Sequence, residues 1–172
     1  MSSGKPAAVV TGGAGFIGSH MVDALLGAGF AVRVIDNLVG GHRSNLDHLK
    51  GNPDLTCYWQ DIRQLEPESP IFADAKSVFH FAGIGDIVPS IEQPTQYMDT
   101  NVQGTVRVLE CARQARVEKF VYAASSSCYG LAAVPTGTPI SIEVPNATLT
   151  ARLSPVEFAT RNRRGVEALH VA

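Results

Sequence analysis

The sequence predicts an α/β fold built on a doubly wound parallel sheet, and three observations lead there. Short apolar runs rich in β-branched residues alternate with helical spacing, a glycine-rich turn joins the first run to the first helix, and the connection between the first two runs is long enough for a crossover. Ala7-Ala8-Val9-Val10 is the first strand, followed at once by Thr11-Gly12-Gly13-Ala14-Gly15-Phe16-Ile17-Gly18. Ile17, Met21, Val22, Leu25 and Leu26 then recur at helical spacing, and Gly27 and Gly29 end the pattern. Ala31–Ile35 is a second strand that ends on Asp36, before a polar loop from Asn37 to Asn45. Such a βαβ unit is right-handed in nearly all cases. A third strand is expected at Leu55 to Trp59, a fourth at Ser77 to Ala82 and a fifth at Lys119 to Ala124, which runs into Ser125-Ser126-Ser127. Between the last two, Pro94 to Val117 predicts a long helix that starts on Pro94, with Tyr97, Val102, Val106, Leu109 and Ala112 as its apolar stripe.

Composition narrows the function classes. The chain has 172 residues, 45% of them hydrophobic, enough for one well-cored domain and too few for two of ordinary size. Sixteen acidic against fourteen basic residues give a formal charge of −2, so there is no basic footprint for nucleic acid or for an anionic membrane surface. No apolar run reaches the length of a membrane span. Lys5 ahead of Ala7 to Gly18 superficially suggests a signal peptide, but the interrupting glycines remove the hydrophobic segment one needs, and a cytoplasmic location is expected. Cys57, Cys111 and Cys128 are odd in number and widely spaced, which is neither a disulfide framework nor a zinc pattern; they read as reduced and packed.

Gly12, Gly15 and Gly18 carry the strongest signal. The first permits a tight turn, the second lets a pyrophosphate approach the backbone, the third allows close helix packing, and the helix start presents free N–H groups and a partial positive charge. The motif follows a strand, opens a helix and stands 18 residues ahead of Asp36, which closes the next strand. Asp36 can accept hydrogen bonds from the adenosine ribose hydroxyls and would repel a 2′-phosphate, which favours NAD over NADP. Arg33 and Arg43 lie near enough to soften that discrimination, although solvated roles are commoner for such residues.

Thr11 to His20, Asp36-Asn37-Leu38, Asp61-Ile62-Arg63, His80-Phe81-Ala82-Gly83, Asn101-Val102-Gln103-Gly104-Thr105 and Ser125-Ser126-Ser127-Cys128-Tyr129-Gly130 together resemble the extended short-chain dehydrogenase/reductases. Within them the chain is most similar to the NAD-dependent nucleotide-sugar epimerases and dehydratases, the UDP-glucose 4-epimerases nearest. The resemblance covers about residues 6 to 130. It implies a Rossmann-type domain, NAD held by Gly12, Gly15, Phe16, Ile17, Gly18, Asp36 and Asn37, Asp61 and Ile62 near adenine, Ala82 and Gly83 beside the cofactor, and Asn101 supporting the central strands. It also implies Ser125 as the catalytic hydroxyl that hydrogen-bonds the sugar oxygen being oxidised, and a nucleotide-sugar as substrate. A homodimer and a complementing C-terminal chain both stay open as partners.

The chain departs from the family at the base. There a Y-x-x-x-K pair is needed, because a phenol near pKa 10 is a poor base at neutral pH unless an ammonium lowers it. Tyr58, Tyr97, Tyr122 and Tyr129 are followed four positions later by Ile62, Asn101, Ser126 and Ala133, none of them lysine. No Tyr or Lys occurs after Gly130; Ser154-Pro155 and Thr160-Arg161 only echo the family's S-P-Y and T-K, with Val156 and Thr160 where tyrosine and lysine should be. Members of the family run to roughly twice this length. The expectation is therefore a cofactor domain over 1–130, truncated after about the fifth strand and without the C-terminal substrate domain, and a diverged or truncated tail over 131–172. That tail is read as loop from Leu131 to Leu153 and a weak helix from Pro155 to Val171, on Phe158, Val166 and Leu169. Its loss of several residue types suggests a frame change or gene remnant. Three readings follow: an NAD-binding epimerase/dehydratase domain inactive as a lone chain, a non-enzymatic dinucleotide sensor or partner-binding module, and a non-functional fragment.

Other candidates read as structural. His80 beside Phe79 and Phe81 is expected to be a packed histidine. His42, Asp47 and His48 share a polar loop without metal-ligand spacing, and no metal is expected. Arg161-Asn162-Arg163-Arg164 reads as a solvated face, and Ser125 to Ser127 lack the G-x-S-x-G elbow of a hydrolase.

Overall fold

In the computed structural model the described residues are 4–124, with the backbone of residues 139–144, 147–152, 157–162 and 165–170. The chain divides into two compact units, Met1–Ala124 and Ser125–Ala172.

The first unit runs β1 (Ala7–Thr11), α1 (Phe16–Gly27), β2 (Ala31–Ile35), β3 (Leu55–Tyr58), β4 (Ala75–His80), α2 (Ile87–Glu92), α3 (Pro94–Met98), a π-helical turn over Asp99–Gly104, α4 (Thr105–Gln114) and β5 (Lys119–Tyr122). The sheet order is β3-β2-β1-β4-β5, every pair parallel, as the sequence predicts. β2 lies on one side of β1 and β4 on the other, so the order reverses between β1 and β4. A crevice opens outside the carboxyl ends of the strands at such a reversal, and that is where the predicted glycine turn lies.

Alternation along β1 builds the two layers. Ala8 and Val10 pack with Val22 and Leu25 of α1, whereas Val9 packs with Val108, Cys111 and Ala112 of α4. All five residues of β1 are buried, as expected for a central strand covered on both faces. Helix α1 ends where Gly29 takes φ +84, a conformation that costs glycine little, and the Gly29 and Phe30 amides donate to the Leu26 and Leu25 carbonyls. In place of an irregular loop after β2, Arg43–Leu49 winds into a 3₁₀ segment whose Leu46 is buried against the α1 side of the sheet.

The expected helix from Pro94 to Val117 needs correction in face and in extent. Of the expected stripe Ala112 is buried, but Val102, Val106 and Leu109 are 42%, 47% and 44% exposed, and Gly104, Val108 and Cys111 are turned to the core in their place. Both stripes are apolar at helical spacing, so hydrophobicity alone does not choose between them. The choice is made by Gly104, where a Cβ would come within 2.6 Å of Ile62 Cδ1, and by the π-helical turn, which shifts the faces before and after it. The helix stops at Gln114 because Arg116 adopts φ +56 and the Val117 amide donates back to the Ala112 carbonyl; an arginine there gives no sequence signal for a stop.

In the second unit β6 (Pro139–Val144) pairs antiparallel with β7 (Ala147–Arg152), and β8 (Glu157–Asn162) with β9 (Gly165–His170). This replaces the loop and weak helix read from the sequence. The period-two alternation of Ile140, Ile142 and Val144 fits a strand, and the helical pattern further on rested on only three residues. Among the described residues no helix is long and apolar enough to cross a membrane.

Candidate functional site

The crevice at the strand reversal is a cleft lined by seven of the predicted residues: Gly12, Gly15, Asp36, Asn37, Ile62, Ala82 and Gly83. Its floor is the turn after β1. Gly12 takes φ +69 while its amide donates to the Ile35 carbonyl at 2.8 Å, which ties the turn to β2. A Cβ on Gly12 would stand 2.7 Å from the Ala82 nitrogen and 2.8 Å from the Phe81 carbonyl carbon, so only glycine lets the turn lie against the 81–82 segment. A Cβ on Gly18 would collide with the Gly12 carbonyl, which is the close helix-to-turn packing predicted for the third glycine. Gly15 differs from both. It has an ordinary φ of −76, and an added Cβ would meet nothing but the Gly12 carbonyl oxygen at 3.1 Å, so what it keeps clear is the cleft itself. Phe16 and Ile17, also predicted, do not line the cleft and are 45% and 59% exposed. What they bring is backbone: the first-turn N–H groups of α1 have no acceptor within the helix and are available to an anion.

Asp36 is buried at the end of β2. Its Oδ2 accepts from the Ala14 amide at 2.9 Å and its Oδ1 from the Leu38 amide at 2.7 Å, an arrangement that puts Leu38 at φ 65. Gly41 lies over the carboxylate, where a Cβ would come within 2.9 Å of Oδ2. The loop that delivers Gly41 is fastened to the turn, since the His42 amide and the Asn45 side chain both donate to the Ala14 carbonyl, at 3.0 and 2.7 Å. Asn37 donates to Asp61 at 3.0 Å. Asp61 itself stands behind the lining: it caps the 3₁₀ turn Ile62–Gln64 and is paired with the Arg63 guanidinium at 2.7 Å, which pulls its carboxyl down to about 2. Neither Arg33 nor Arg43 faces the carboxylate of Asp36. Arg33 donates to the Ile71 and Ala73 carbonyls, and Arg43 lies 4.7 Å over the Trp59 ring.

The opposite wall is Ala82, Gly83 and Ile84. Asn101, from the π-helical turn, accepts from the Ile84 amide and donates to the Ile84 carbonyl, both at 2.9 Å, and its Oδ1 would stand 3.1 Å from a Cβ at position 83. It therefore supports the wall after β4 and stays out of the lining. His80 is buried, as expected, and bonded on both ring nitrogens. Sequence reading missed Gly41, Arg63 and Ile84 as lining residues, although the Gly40-Gly41 pair just after Asp36-Asn37-Leu38 is a visible signal for a close approach. Ser125 and Tyr129 lie outside the described residues. Cys111 is buried and Cys57 half-buried, both free, and burial raises both thiols, Cys111 to about 11. Among the described residues no group of three or more His, Cys, Asp or Glu side chains could hold a metal ion; His48 pairs instead with Asp23.

A dinucleotide fits this cleft. The side-chain-free surface at Gly15 beside the start of α1 suits a pyrophosphate, and the buried carboxylate of Asp36 at the end of β2 suits ribose hydroxyls. Comparison with known proteins points the same way. The chain is 38% identical over 123 residues to the UDP-glucose 4-epimerase of Lacticaseibacillus casei, covering 70% of this chain and 36% of that one. It is 40% identical over 126 residues to that of Neisseria meningitidis serogroup C, covering 71% and 37%. Among solved structures, the UDP-glucose 4-epimerase of Thermotoga maritima with UDP-glucose superposes with a TM-score of 0.65 at 34% identity, over 77% of this chain and 42% of that one. The dTDP-glucose 4,6-dehydratase of Streptomyces venezuelae with NAD bound gives 0.68 at 34%, over 76% and 42%. The chain thus spans about two fifths of the length of the relatives it matches. The model of the NAD dependent epimerase/dehydratase family matches residues 8–152, and the chain belongs to that family.

Proposed function

We propose that residues 1–130 form the NAD-binding domain of a nucleotide-sugar epimerase/dehydratase of the UDP-glucose 4-epimerase type, and that the chain as it stands binds NAD without turning over a sugar nucleotide. The observation that carries the reading is the pairing, in one cleft, of the open backbone surface at Gly15 with the buried carboxylate of Asp36. Bound there, NAD supplies a hydride acceptor for the sugar C4. The chain's own part is to seat it: the first turn of α1 faces the pyrophosphate, Asp36 accepts from the ribose hydroxyls, and Ala82 and Gly83 keep the nicotinamide side of the cleft free of bulk. Ser125 would hydrogen-bond the sugar oxygen. Proton removal lacks its usual group, since none of the four tyrosines precedes a lysine by four residues. The exposed stripe Val102, Val106 and Leu109 supports a homodimer or a complementing C-terminal chain as partner, and the free thiols support a reducing, cytoplasmic setting.

That missing pair also favours a second reading, a non-enzymatic dinucleotide sensor, which needs the glycine turn and can dispense with the base. Calorimetry with both cofactors tests what the two readings share. NAD is expected to bind more tightly than NADP, because Asp36 meets a 2′-phosphate as a like charge. Equal affinities, or a preference that survives in Asp36→Ala, would remove Asp36 from its role. Gly15→Val, which fills the space of the pyrophosphate, is expected to abolish binding while the far-ultraviolet circular dichroism is retained.

A further inference from the structure

His80 lines none of the cleft, yet it joins Thr11, which precedes the glycine turn, to Thr105 at the start of α4. Its Nδ1 stands 2.5 Å from Thr11 Oγ1 and its Nε2 2.9 Å from Thr105 Oγ1. The direction of each bond is fixed by what the hydroxyls do next. Thr105 Oγ1 donates its proton to the Asn101 carbonyl at 2.7 Å, so toward the ring it accepts, and His80 Nε2 carries a hydrogen. A neutral ring protonated on Nε2 has a bare Nδ1, which accepts from the Thr11 hydroxyl. The Thr11 oxygen is then free to accept from the Ala82 amide, which lies 3.3 Å away. Burial pushes the imidazole down to about 4, which leaves the ring neutral at physiological pH, and it stacks on Tyr122 of β5 with centroids 5.6 Å apart.

The relay runs from the Ala82 amide through Thr11, His80 and Thr105 to the Asn101 backbone. The Asn101 side chain returns to the same wall by clasping both backbone groups of Ile84. The loop of bonds thus closes around Ala82-Gly83-Ile84, and Thr11 immediately precedes the glycine that abuts Ala82. We propose that His80, as the neutral Nε2–H tautomer, is a positioning residue for the dinucleotide: it sets the spacing between the glycine turn and the 82–84 wall through Thr11 on one side and Thr105 on the other. The inference rests on the NAD-binding reading above and names a residue for it that touches no cofactor.

Two measurements test it. Long-range ¹H–¹⁵N spectra of the apo protein near pH 7 are expected to show the His80 Nε2 in the protonated range and Nδ1 in the unprotonated range; the opposite tautomer, or a charged ring, overturns the relay. NAD calorimetry then compares wild type, His80→Leu, His80→Gln, Thr105→Val and the His80→Leu/Thr105→Val pair, each with its melting temperature. Leu is expected to weaken NAD about tenfold or more, the size that loss of a buried hydrogen bond produces. Gln keeps an amide N–H at the ε position and is expected to recover part of the loss. The double variant is expected to bind no more weakly than His80→Leu alone, since the two residues act in one chain of bonds. Affinity unchanged in a folded His80→Leu, no recovery in Gln, or additive losses in the pair overturns the role. A wild type that fails to bind NAD overturns the function and this role with it, whereas NAD binding that His80→Leu retains overturns the role alone.

Discussion

Gly12 and Gly15 belong to one motif, yet the geometry assigns them different work, and alanine at each separates the two. At Gly12 the φ of +69 is one that an L-residue adopts at a cost of about 1–2 kcal/mol. The added methyl would also stand 2.7 and 2.8 Å from backbone atoms of Ala82 and Phe81, which cannot swing aside as a side-chain tip would. Overpacking of that kind adds about 1–3 kcal/mol. Gly12→Ala is therefore expected to destabilise the fold by about 2–5 kcal/mol, a large share of the roughly 5–15 kcal/mol that holds a domain together, and to lower the melting temperature by about 4–20 °C. Gly15→Ala meets a φ of −76 that alanine accepts and a single contact at 3.1 Å, so its stability is expected to stay within about 1 kcal/mol of wild type, while NAD affinity falls. Thermal melting by circular dichroism, paired with NAD calorimetry, reads both quantities. If Gly12→Ala melted with the wild type, or Gly15→Ala melted as low as Gly12→Ala, the division of roles drawn from the turn would be refuted.

Two further outcomes follow from the same geometry. His80 titrates at about 4 in the folded protein and near 6.5 when unfolded, so the unfolded chain takes up the extra proton between those values; the stability His80 confers is whole above pH 6.5 and lost as the pH falls toward 4, up to about 3 kcal/mol, and a wild-type pH profile parallel to that of His80→Phe would contradict it. Even saturated with NAD, the chain is expected to show no appreciable 4-epimerase turnover on UDP-glucose or UDP-galactose, because a positioned acid/base group contributes about 10²- to 10⁴-fold and its tyrosine–lysine pair is missing; turnover abolished by Ser125→Ala would show that another residue acts as base, with Tyr129 the first to mutate.

The parts of this fold legible in the sequence are those in which one local pattern has one physical solution. Ala31–Ile35 matched to the residue, and the glycine turn was located because a strand, three spaced glycines and a helix leave little else for the backbone to do. Helix α4 shows the opposite case. Val102, Val106 and Leu109 are as apolar as Val108 and Cys111, and the face that packs is decided by Ile62 reaching across to Gly104, a contact 42 residues apart in sequence that periodicity does not register. Arg116 ends that helix in a conformation usually signalled by glycine, and so gave no stop. The site divides likewise. Residues that work through their own type, Gly12 and Asp36, could be named in advance; Ile84 lines the cleft only because Asn101 grips its backbone, and its side-chain type carries no trace of that.

The way the cleft is held also bears on the proposal that this chain binds NAD without turnover. Asp36 is already oriented by the Ala14 and Leu38 amides, the loop that covers it is tied to the Ala14 carbonyl by His42 and Asn45, and the far wall is fixed by Asn101 and Thr11. Every one of these groups lies within residues 11–101. A ligand entering such a cleft has little loop and side-chain entropy left to remove, and what it saves appears as affinity. Acid–base chemistry on a sugar depends instead on a tyrosine and a lysine at a spacing found nowhere in the sequence, so nothing in the bonds that build the cofactor cleft depends on them. A chain with the first set and without the second is expected to keep NAD affinity under conditions in which turnover is absent, and the cofactor and substrate assays read those two properties separately.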